Sequence, residues 1–274
     1  MFVRSAAAPP TGEDALLPVL PALAPLLPGG ALRRGTAVSV AGDTALLLAL
    51  AAGSVAAGDW AAAIGLPDLG LAAAAGYGLD LHRLLLADDP GPHWPEVVSA
   101  LAGAVGVILL RPTGPVAPQL AARLTAVLRR GGCALLVAGP WPGAGLRLSV
   151  RSGRWFGLGH GYGQLRGRQV EIAAEGRGTA TRLRTARLWL PDEHGTARPV
   201  ESGSRPLDAP LDVPFAPPLD ARFGAPFGAA PGASSESASE DPPAAPLGLP
   251  GSRSAPAPLH RPAPGPAAAA VAVV

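Results

Sequence analysis

The sequence contains no lysine and no asparagine, so arginine supplies all 22 of its basic residues. Any mechanism that requires a lysine ammonium is therefore excluded. Aromatic residues make up only 4% of the chain, so alanine, leucine and valine must build the core. The single cysteine, Cys133, excludes an internal disulfide and a cysteine-built metal site, which fits a reducing compartment.

Charge does not identify a nucleic-acid binder, and hydropathy argues against a membrane protein. The net charge is only +2, which does not by itself mark a nucleic-acid binder. The longest apolar stretch, near Ala45–Ala57, is too short to span a bilayer. Met1–Asp14 lacks the basic-then-apolar order of a signal peptide. We therefore expect a cytoplasmic protein with no membrane partner, associated with the nucleoid when active.

Composition divides the chain into three parts. From Pro206 onward it carries 16 of the 33 prolines and a Ser/Glu stretch at Ser234–Asp241. Such a segment buries too little apolar surface to offset its ordering entropy. We predict a disordered N-terminus at residues 1–14, a folded domain at 15–200 and a disordered Pro/Ala-rich tail at 201–274.

The folded domain begins with alternating strands and helices. The continuous apolar runs are typical of parallel strands buried on both faces. The predicted strands are Thr36–Val40, Trp60–Ile64, Leu84–Ala87, Val105–Leu110 and Cys133–Ala138. The predicted helices are Thr44–Ala57, Glu96–Ala104 and Ala117–Arg130.

The pattern changes after Gly139. Leu146–Arg151, Arg168–Ala173 and Leu183–Leu190 alternate apolar and polar residues, with glycine-rich breaks between them. This alternation predicts an antiparallel meander. The expected fold is thus an α/β domain with a mostly parallel sheet flanked by helices and an antiparallel C-terminal edge.

Four segments in this order resemble the core of the RecA family. They are Leu26–Gly42, Gly78–Pro90, His93–Leu110 and Gly145–Arg154, within a match that spans residues 26 to 190. Among RecA relatives, Ala63–Leu86 is similar to the actinobacterial ImuA-type proteins. That resemblance implies a role beside ImuB, a Y-family-like polymerase subunit, and an error-prone polymerase in DNA-damage tolerance.

The resemblance places a phosphate loop where this chain reads Ala41-Gly42-Asp43-Thr44-Ala45. A functional loop needs Gly-x-x-x-x-Gly-Lys-Ser/Thr, so Gly42, Asp43 and Thr44 are a vestige of it. Asp43 puts negative charge where phosphate should bind. Thr44 retains a hydroxyl that suits Mg²⁺, but we favour it as the N-cap of the following helix.

The two carboxylates of an ATPase are also missing from their expected places. Leu110 and Arg111 end the strand that should carry the metal-binding acid, and Pro67 stands near the place of the water-activating acid. Asp68 is adjacent but out of register. We expect no catalytic residue, no cofactor and no metal, and therefore no enzyme.

Other catalytic and metal-binding constellations are absent from the sequence. The five histidines, His82, His93, His160, His194 and His260, have no partner at ligand spacing. There is no Gly-x-Ser-x-Gly nucleophile elbow. Cys133 lies within a predicted strand and is interpreted as a small core residue.

Nine arginines lie between Arg147 and Arg187, and only Glu171 and Glu175 offset them. Arg147, Arg151 and Arg154 are candidate contacts for DNA or phosphate, with Arg147 and Arg151 on one face of a strand. The alternative, which we favour, is a solvated outer face in a protein without lysine. The second DNA-binding loop of RecA is reduced here to Pro140–Gly145.

Two features are candidate contacts for a protein partner. The segment Leu16–Leu27 is apolar and interrupted by proline, so Leu16, Leu20 and Leu23 either dock on a partner or cover the protein's own core. Trp141, in the short Pro140–Gly145 loop, is either an exposed anchor or packed on the sheet edge.

The favoured hypothesis is a non-catalytic adaptor that binds an ImuB-like subunit. The alternatives are a DNA-binding module that uses the arginine-rich sheet, a regulator that caps RecA by copying its fold, and a residual ATPase. The missing lysine and acids argue against the last of these.

Overall fold

A computed structural model describes residues 15–41, 43–159, 162–176, 183–200 and 272–273. The predictions of disorder for residues 1–14 and 201–274 fall outside these ranges, apart from the backbone of Ala272–Val273. His160 and His260 also lie outside the described residues, as does Gly42.

The described strands and helices follow the predicted order. The strands are β1 (Leu16–Leu17), β2 (Leu32–Arg33), β3 (Ala37–Ala41), β4 (Ala61–Ile64), β5 (Leu84–Ala87), β6 (Val107–Leu110), β7 (Ala134–Ala138), β8 (Leu146–Gly159), β9 (Tyr162–Gly176), β10 (Arg184–Trp189), β11 (Arg198–Pro199) and β12 (Ala272–Val273). The helices are α1 (Thr44–Ala56), α2 (Leu71–Gly76), α3 (Trp94–Leu101) and α4 (Pro118–Gly131).

The main sheet has the strand order β11-β10-β9-β8-β3-β7-β6-β4-β5-β12. Strands β8, β3, β7, β6, β4 and β5 run parallel to one another. Strands β9, β10 and β11 extend one side of this core in antiparallel pairs. The structure thus confirms the predicted α/β fold, with its mostly parallel sheet and antiparallel C-terminal edge.

Helices cover both faces of the parallel core. One hydrophobic cluster joins the sheet to α1, α2 and the N-terminal segment, and the other joins it to α3 and α4. Strands β3, β4, β6 and β7 are buried along their whole length. Their continuous apolar sequences are explained by this double coverage.

The N-terminal segment lies directly against α1. A Cβ atom added at Gly53, in the middle of that helix, would come within 2.5 Å of the Val19 backbone. Only glycine permits so close an approach, and α1 is consequently buried on nearly all sides. A short antiparallel pair of β1 and β2 fixes the two ends of the segment.

Helix α4 shows how the sequence sets its own boundaries. Proline stands in its first turn, Arg129 and Arg130 lie in its last turn, and Gly132 ends it in the left-handed conformation. Proline suits the first turn because the N–H groups there have no partner within the helix. The arginine charges complement the negative end of the helix dipole, and glycine adopts the left-handed conformation without strain.

Candidate functional site

The N-terminus of α1 is capped by an acid of this chain. The Asp43 carboxylate accepts a hydrogen bond of 2.7 Å from the Ala45 amide. A negative charge is stabilised there by the helix dipole and by the free amides of the first turn. These same features would otherwise attract phosphate. The prediction that Thr44 is the N-cap was wrong by one residue, because extended Asp43 makes the capping bond and Thr44 begins the helix.

Arg168 closes the α1 N-terminus from the opposite side. It lies on β9, and its guanidinium forms an ion pair with the Asp43 carboxylate. Only 15% of the Arg168 side chain and 7% of the Asp43 side chain are exposed. The guanidinium also stacks over the Trp155 ring, 5.7 Å from its centre. A buried charge pair made by the chain itself therefore occupies the end of α1.

Tyr77 and Asp192 complete this polar group, which we call the α1 cap cluster (Asp43, Tyr77, Arg168 and Asp192). Burial raises the pKa of the Tyr77 hydroxyl, and the charge of Asp43 raises it further. The charge of Arg168 opposes this effect, whereas that of Asp192 adds to it. Tyr77 consequently stays neutral at physiological pH.

Asp192 organises the turn that follows β10. Its carboxylate accepts hydrogen bonds from the amides of His194 and Thr196 and from the Thr196 hydroxyl, at 2.8–3.0 Å. Arg198 forms an ion pair with it at 3.2 Å. Burial alone would raise the pKa of Asp192, but these bonds and the Arg198 charge outweigh burial and lower the pKa below its usual value. The turn is therefore built around an ionised acid.

Two residues that follow neighbouring parallel strands are joined by an ion pair. Arg111, just after β6, forms an ion pair of 3.1 Å with Asp68, which follows β4. The two strands are parallel neighbours, so their carboxyl ends lie side by side. Gly65 has a φ of +70°, and a Cβ there would lie 2.4 Å from the Arg111 carbonyl oxygen. The Arg111 guanidinium thus stands just after β6, where the sequence resemblance implied a metal-binding acid, and it pairs with the Asp68 carboxylate.

The arginines of the antiparallel sheet are partly neutralised. Arg147 lies opposite Glu175 in the β8–β9 register, and Arg151 forms an ion pair with the same glutamate. Arg187 on β10 approaches Glu171 at 3.8 Å. These contacts favour the interpretation as a solvated outer face, although all three arginines remain exposed.

A register shift at Arg151 places Arg154 on the same face as Arg147. Arg147 pairs with Glu175 and Arg154 pairs with Gln169, two positions of equal parity on β9. Seven residues along a regular strand would put the two arginines on opposite faces, and the extra residue in β8 restores their alignment. A groove of about 350 Å³ on this face is lined by Arg154, Arg187 and Glu171, among others.

Trp141 is buried and does not form an exposed anchor. Only 4% of its surface is accessible, and its ring packs edge-on against Trp94 with ring centres 6.4 Å apart. Of the two alternatives for this residue, packing on the sheet is the one that the structure supports. The burial follows from the shortness of the Pro140–Gly145 loop, which holds the indole against the α3 side of the sheet.

The three leucines of the N-terminal segment differ in environment. Leu23 is completely buried in the core cluster that contains α1, and Leu20 is partly buried against it. Leu16 is 37% exposed. Most of the segment therefore covers the protein's own core, and Leu16 is the most exposed of the three leucines.

Metal and thiol chemistry find no support in the described part of the chain. Within it, no group of three or more His, Cys, Asp or Glu side chains could hold a metal ion. Cys133 is buried, and burial raises the pKa of its thiol, which keeps the thiol in its unreactive protonated form. Among the described residues, no helix is long and apolar enough to cross a membrane.

Comparison with known proteins reveals two similarities. Residues 25–143 match the family described as MT3502 N-terminal domain. An uncharacterized protein of Mycobacterium tuberculosis is 39% identical to this chain over 130 residues. That alignment covers 46% of this chain and 64% of the relative's length. The family match includes Asp43, Asp68, Tyr77 and Arg111 and ends before β8, so Arg168 and Asp192 lie outside it.

Proposed function

We propose that this chain is a non-catalytic, RecA-like accessory protein of the ImuA type. In this role it binds an ImuB-like polymerase subunit in the cytoplasm and supports error-prone synthesis past DNA damage. The proposal rests on the resemblance of Ala63–Leu86 to ImuA-type proteins. One structural observation supports its non-catalytic part, the ion pair of Asp43 and Arg168 at the N-terminus of α1.

The ion pair argues against nucleotide binding on electrostatic grounds. A phosphate at the end of α1 would meet the Asp43 carboxylate, and two like charges in a partly buried site repel each other strongly. To remove the carboxylate would leave Arg168 buried without its partner, which costs several kcal/mol. The chain also has no lysine to contact the terminal phosphates.

The retained scaffold favours a role in protein binding. Strands β3, β4, β6 and β7 are fully buried, and α1 and α4 keep the residues that end them. Yet Asp43, Arg111 and Asp68, at or beside the expected ATPase positions, are held in ion pairs. A fold that keeps its core without its catalytic groups is well explained by use of its surface. Fold similarity alone does not establish such a function, so partner binding must be measured.

The decisive experiment measures partner binding and nucleotide dependence together. The purified chain is mixed with an ImuB-like subunit or with RecA, each with and without ATP and single-stranded DNA. We expect a complex with the ImuB-like subunit that forms equally well without nucleotide, and no ATP hydrolysis. Binding to RecA alone would instead support the RecA-capping alternative. Turnover in the ordinary range for this fold, about 1 s⁻¹ or more, would contradict the proposal.

DNA binding by the antiparallel sheet is the second candidate function. The observation in its favour is that Arg147 and Arg154 share an exposed face. Glu171 and Glu175 on the same face weaken its positive potential, so any DNA contact should be weak and strongly dependent on salt.

A further inference from the structure

A small pocket lies where the loop after β7 meets the antiparallel extension of the sheet. Its volume is about 250 Å³, and its described lining consists of Trp141, Ala144, Arg147, Glu175 and Gly176. Pockets that enclose small-molecule ligands are usually larger, at roughly 300–1,000 Å³. This pocket is therefore of a size for one or two amino-acid side chains.

The indole N–H of Trp141 is a hydrogen-bond donor without an acceptor. Trp141 is only 4% exposed, and no described residue accepts a bond from its Nε1 atom. This burial excludes the ring as an exposed anchor, but the side chain still forms part of the pocket wall. A buried donor without an acceptor costs free energy, so a ligand that supplies an acceptor at this wall would be stabilised.

Arg147 is the second residue of the pocket with unused donors. It is exposed, and within the described residues its guanidinium forms no ion pair and no hydrogen bond. Glu175 lies directly opposite it on β9 but pairs with Arg151, the extra residue at the register shift in β8. Elsewhere on the same sheet, the directly opposite residues Arg187 and Glu171 do approach each other, at 3.8 Å. The extra residue in β8 thus takes the acid that would otherwise neutralise Arg147.

A carboxylate is the ligand that fits these groups. Its two oxygens can accept hydrogen bonds from a guanidinium and from an indole N–H at the same time. A phosphate dianion fits less well, because one arginine neutralises only part of its charge and the nearby Glu175 carboxylate repels it. The indole ring and the Ala144 methyl add apolar surface, which suits the methylene groups of an acidic side chain.

We propose that this carboxylate pocket, built on Trp141 and Arg147, binds an acidic side chain of a protein partner. The carboxylate accepts hydrogen bonds from the Arg147 guanidinium and from the Trp141 indole, and Glu175 remains paired with Arg151. The chemistry of the pocket is independent of the partner's identity. Its assignment to an ImuB-like subunit rests on the function proposed above.

The first test uses acetyl-Ala-Glu-Ala-amide as the probe and the corresponding glutamine peptide as its uncharged control. The five indole N–H signals of the full chain are followed by NMR, and Trp141→Phe identifies the one that belongs to Trp141. We expect the glutamate peptide to shift this signal downfield in a saturable way and to bind at least about tenfold more tightly than the glutamine peptide. Equal binding of the two peptides, or a stronger response of this signal to inorganic phosphate or to a single-stranded oligonucleotide, would overturn the proposal.

Arginine variants test the geometry without a change in the core. Arg147→Ala should weaken binding of the glutamate peptide by about tenfold or more, because it removes a charge-assisted hydrogen bond. The matched control is Arg187→Ala, which removes an exposed arginine from the neighbouring groove and should change binding by less than about twofold. Equal losses in the two variants would show a diffuse effect of charge and would contradict a defined pocket.

Arg151 provides a second check, because its role is to hold Glu175 away from Arg147. Arg151→Ala should weaken binding of the glutamate peptide, since the released Glu175 carboxylate then competes for Arg147. In a Glu175→Gln background the same change should have no effect. A loss of equal size in both backgrounds would mean that Arg151 contacts the ligand itself, against the proposed arrangement.

Parallel measurements with the ImuB-like subunit separate the pocket from the proposed function. If Arg147→Ala weakens binding of both the peptide and the subunit, the pocket and its assigned partner are both supported. If the glutamate peptide binds but the subunit does not, the accessory role fails and the pocket stands. If the subunit binds but the peptide does not, the pocket fails and the accessory role stands.

Discussion

Arg168 and Asp43, 125 residues apart in the sequence, form a buried ion pair at the N-terminus of α1. The contact joins the antiparallel extension to the parallel core, since Arg168 lies on β9 and Asp43 follows β3. It also occupies the N-terminus of α1, a helix end that otherwise favours an anion. One contact thus ties together the two parts of the sheet and neutralises the charge at the end of α1.

The first prediction concerns the stability that Asp43 provides. In Asp43→Ala, Arg168 stays buried without its partner and α1 loses its cap. We expect the free energy of unfolding to fall by about 3–5 kcal/mol from the broken pair and about 1 kcal/mol more from the cap. Urea unfolding at pH 7, followed by circular dichroism, measures the change.

Asp68→Ala is the matched control, since it also breaks an arginine–aspartate pair. The Asp68 side chain is 73% exposed, so the loss should stay below about 1 kcal/mol. The double variant Asp43→Ala/Arg168→Met should recover part of the loss, because it removes the orphaned charge. Equal losses in the two single variants would contradict the structural role of the α1 cap cluster.

The second prediction is a pH dependence that arises from Asp192. Its pKa is lowered in the folded protein, so the unfolded chain binds a proton more readily as the pH falls. The stability from Asp192 is therefore present above its unfolded pKa of about 4 and is lost as the pH falls through the folded value. Asp192→Asn should cost about 1–3 kcal/mol at pH 7 and less at pH 3.

Urea unfolding at both pH values checks this dependence. Asp89→Asn, at an exposed carboxylate, is the control and should change stability little at either pH. If Asp192→Asn lowers the free energy of unfolding as much at pH 3 as at pH 7, the ionised carboxylate is not what stabilises the turn.

Much of the fold could be predicted from the sequence because its signals are local. Apolar runs located all five central strands within two residues, and Leu84–Ala87 was predicted with both ends correct. Helix α2 (Leu71–Gly76) was missed, since a six-residue alanine-rich turn has no period to detect. Strands β8 and β9 were predicted too short, because glycines and charged residues interrupt their alternation.

The site could be predicted only as a set of missing groups. The sequence indicated that Asp43, Arg111 and Pro67 depart from the ATPase pattern, because that comparison needs only the residue type at each position. It did not indicate that Arg168 binds Asp43 or that Arg111 binds Asp68. The order of the strands in the sheet and the register between them bring these partners together. Neither the order nor the register can be deduced from short stretches of a single sequence. The register shift at Arg151 in β8 also could not be predicted from the sequence.

The third prediction separates core from surface in the N-terminal segment. Leu23→Ser should reduce the free energy of unfolding by about 3–5 kcal/mol, because it removes a buried side chain and buries a hydroxyl. Leu16→Ser should cost less than about 1 kcal/mol, because that residue is partly exposed. If Leu16→Ser weakens binding to an ImuB-like subunit at an unchanged melting temperature, the start of the segment is an interface. If neither variant changes the free energy of unfolding, the N-terminal segment does not pack against α1 as described.

The last prediction tests DNA binding through its dependence on salt. For single-stranded DNA, the slope of log K against log salt should fall by about 0.7 for each phosphate that the protein no longer neutralises. If the face shared by Arg147 and Arg154 binds phosphate, Arg147→Ala should reduce both the affinity and the slope. Arg123→Ala, which removes an exposed arginine on α4, should change neither.

Since Glu175 stands opposite Arg147, Glu175→Gln should strengthen DNA binding if this face contacts DNA. Fluorescence anisotropy with a labelled oligonucleotide at several salt concentrations measures these effects. Equal slopes in all three variants and in the original chain would leave the arginines as a solvated face, and the adaptor role would stand without DNA contact by this sheet.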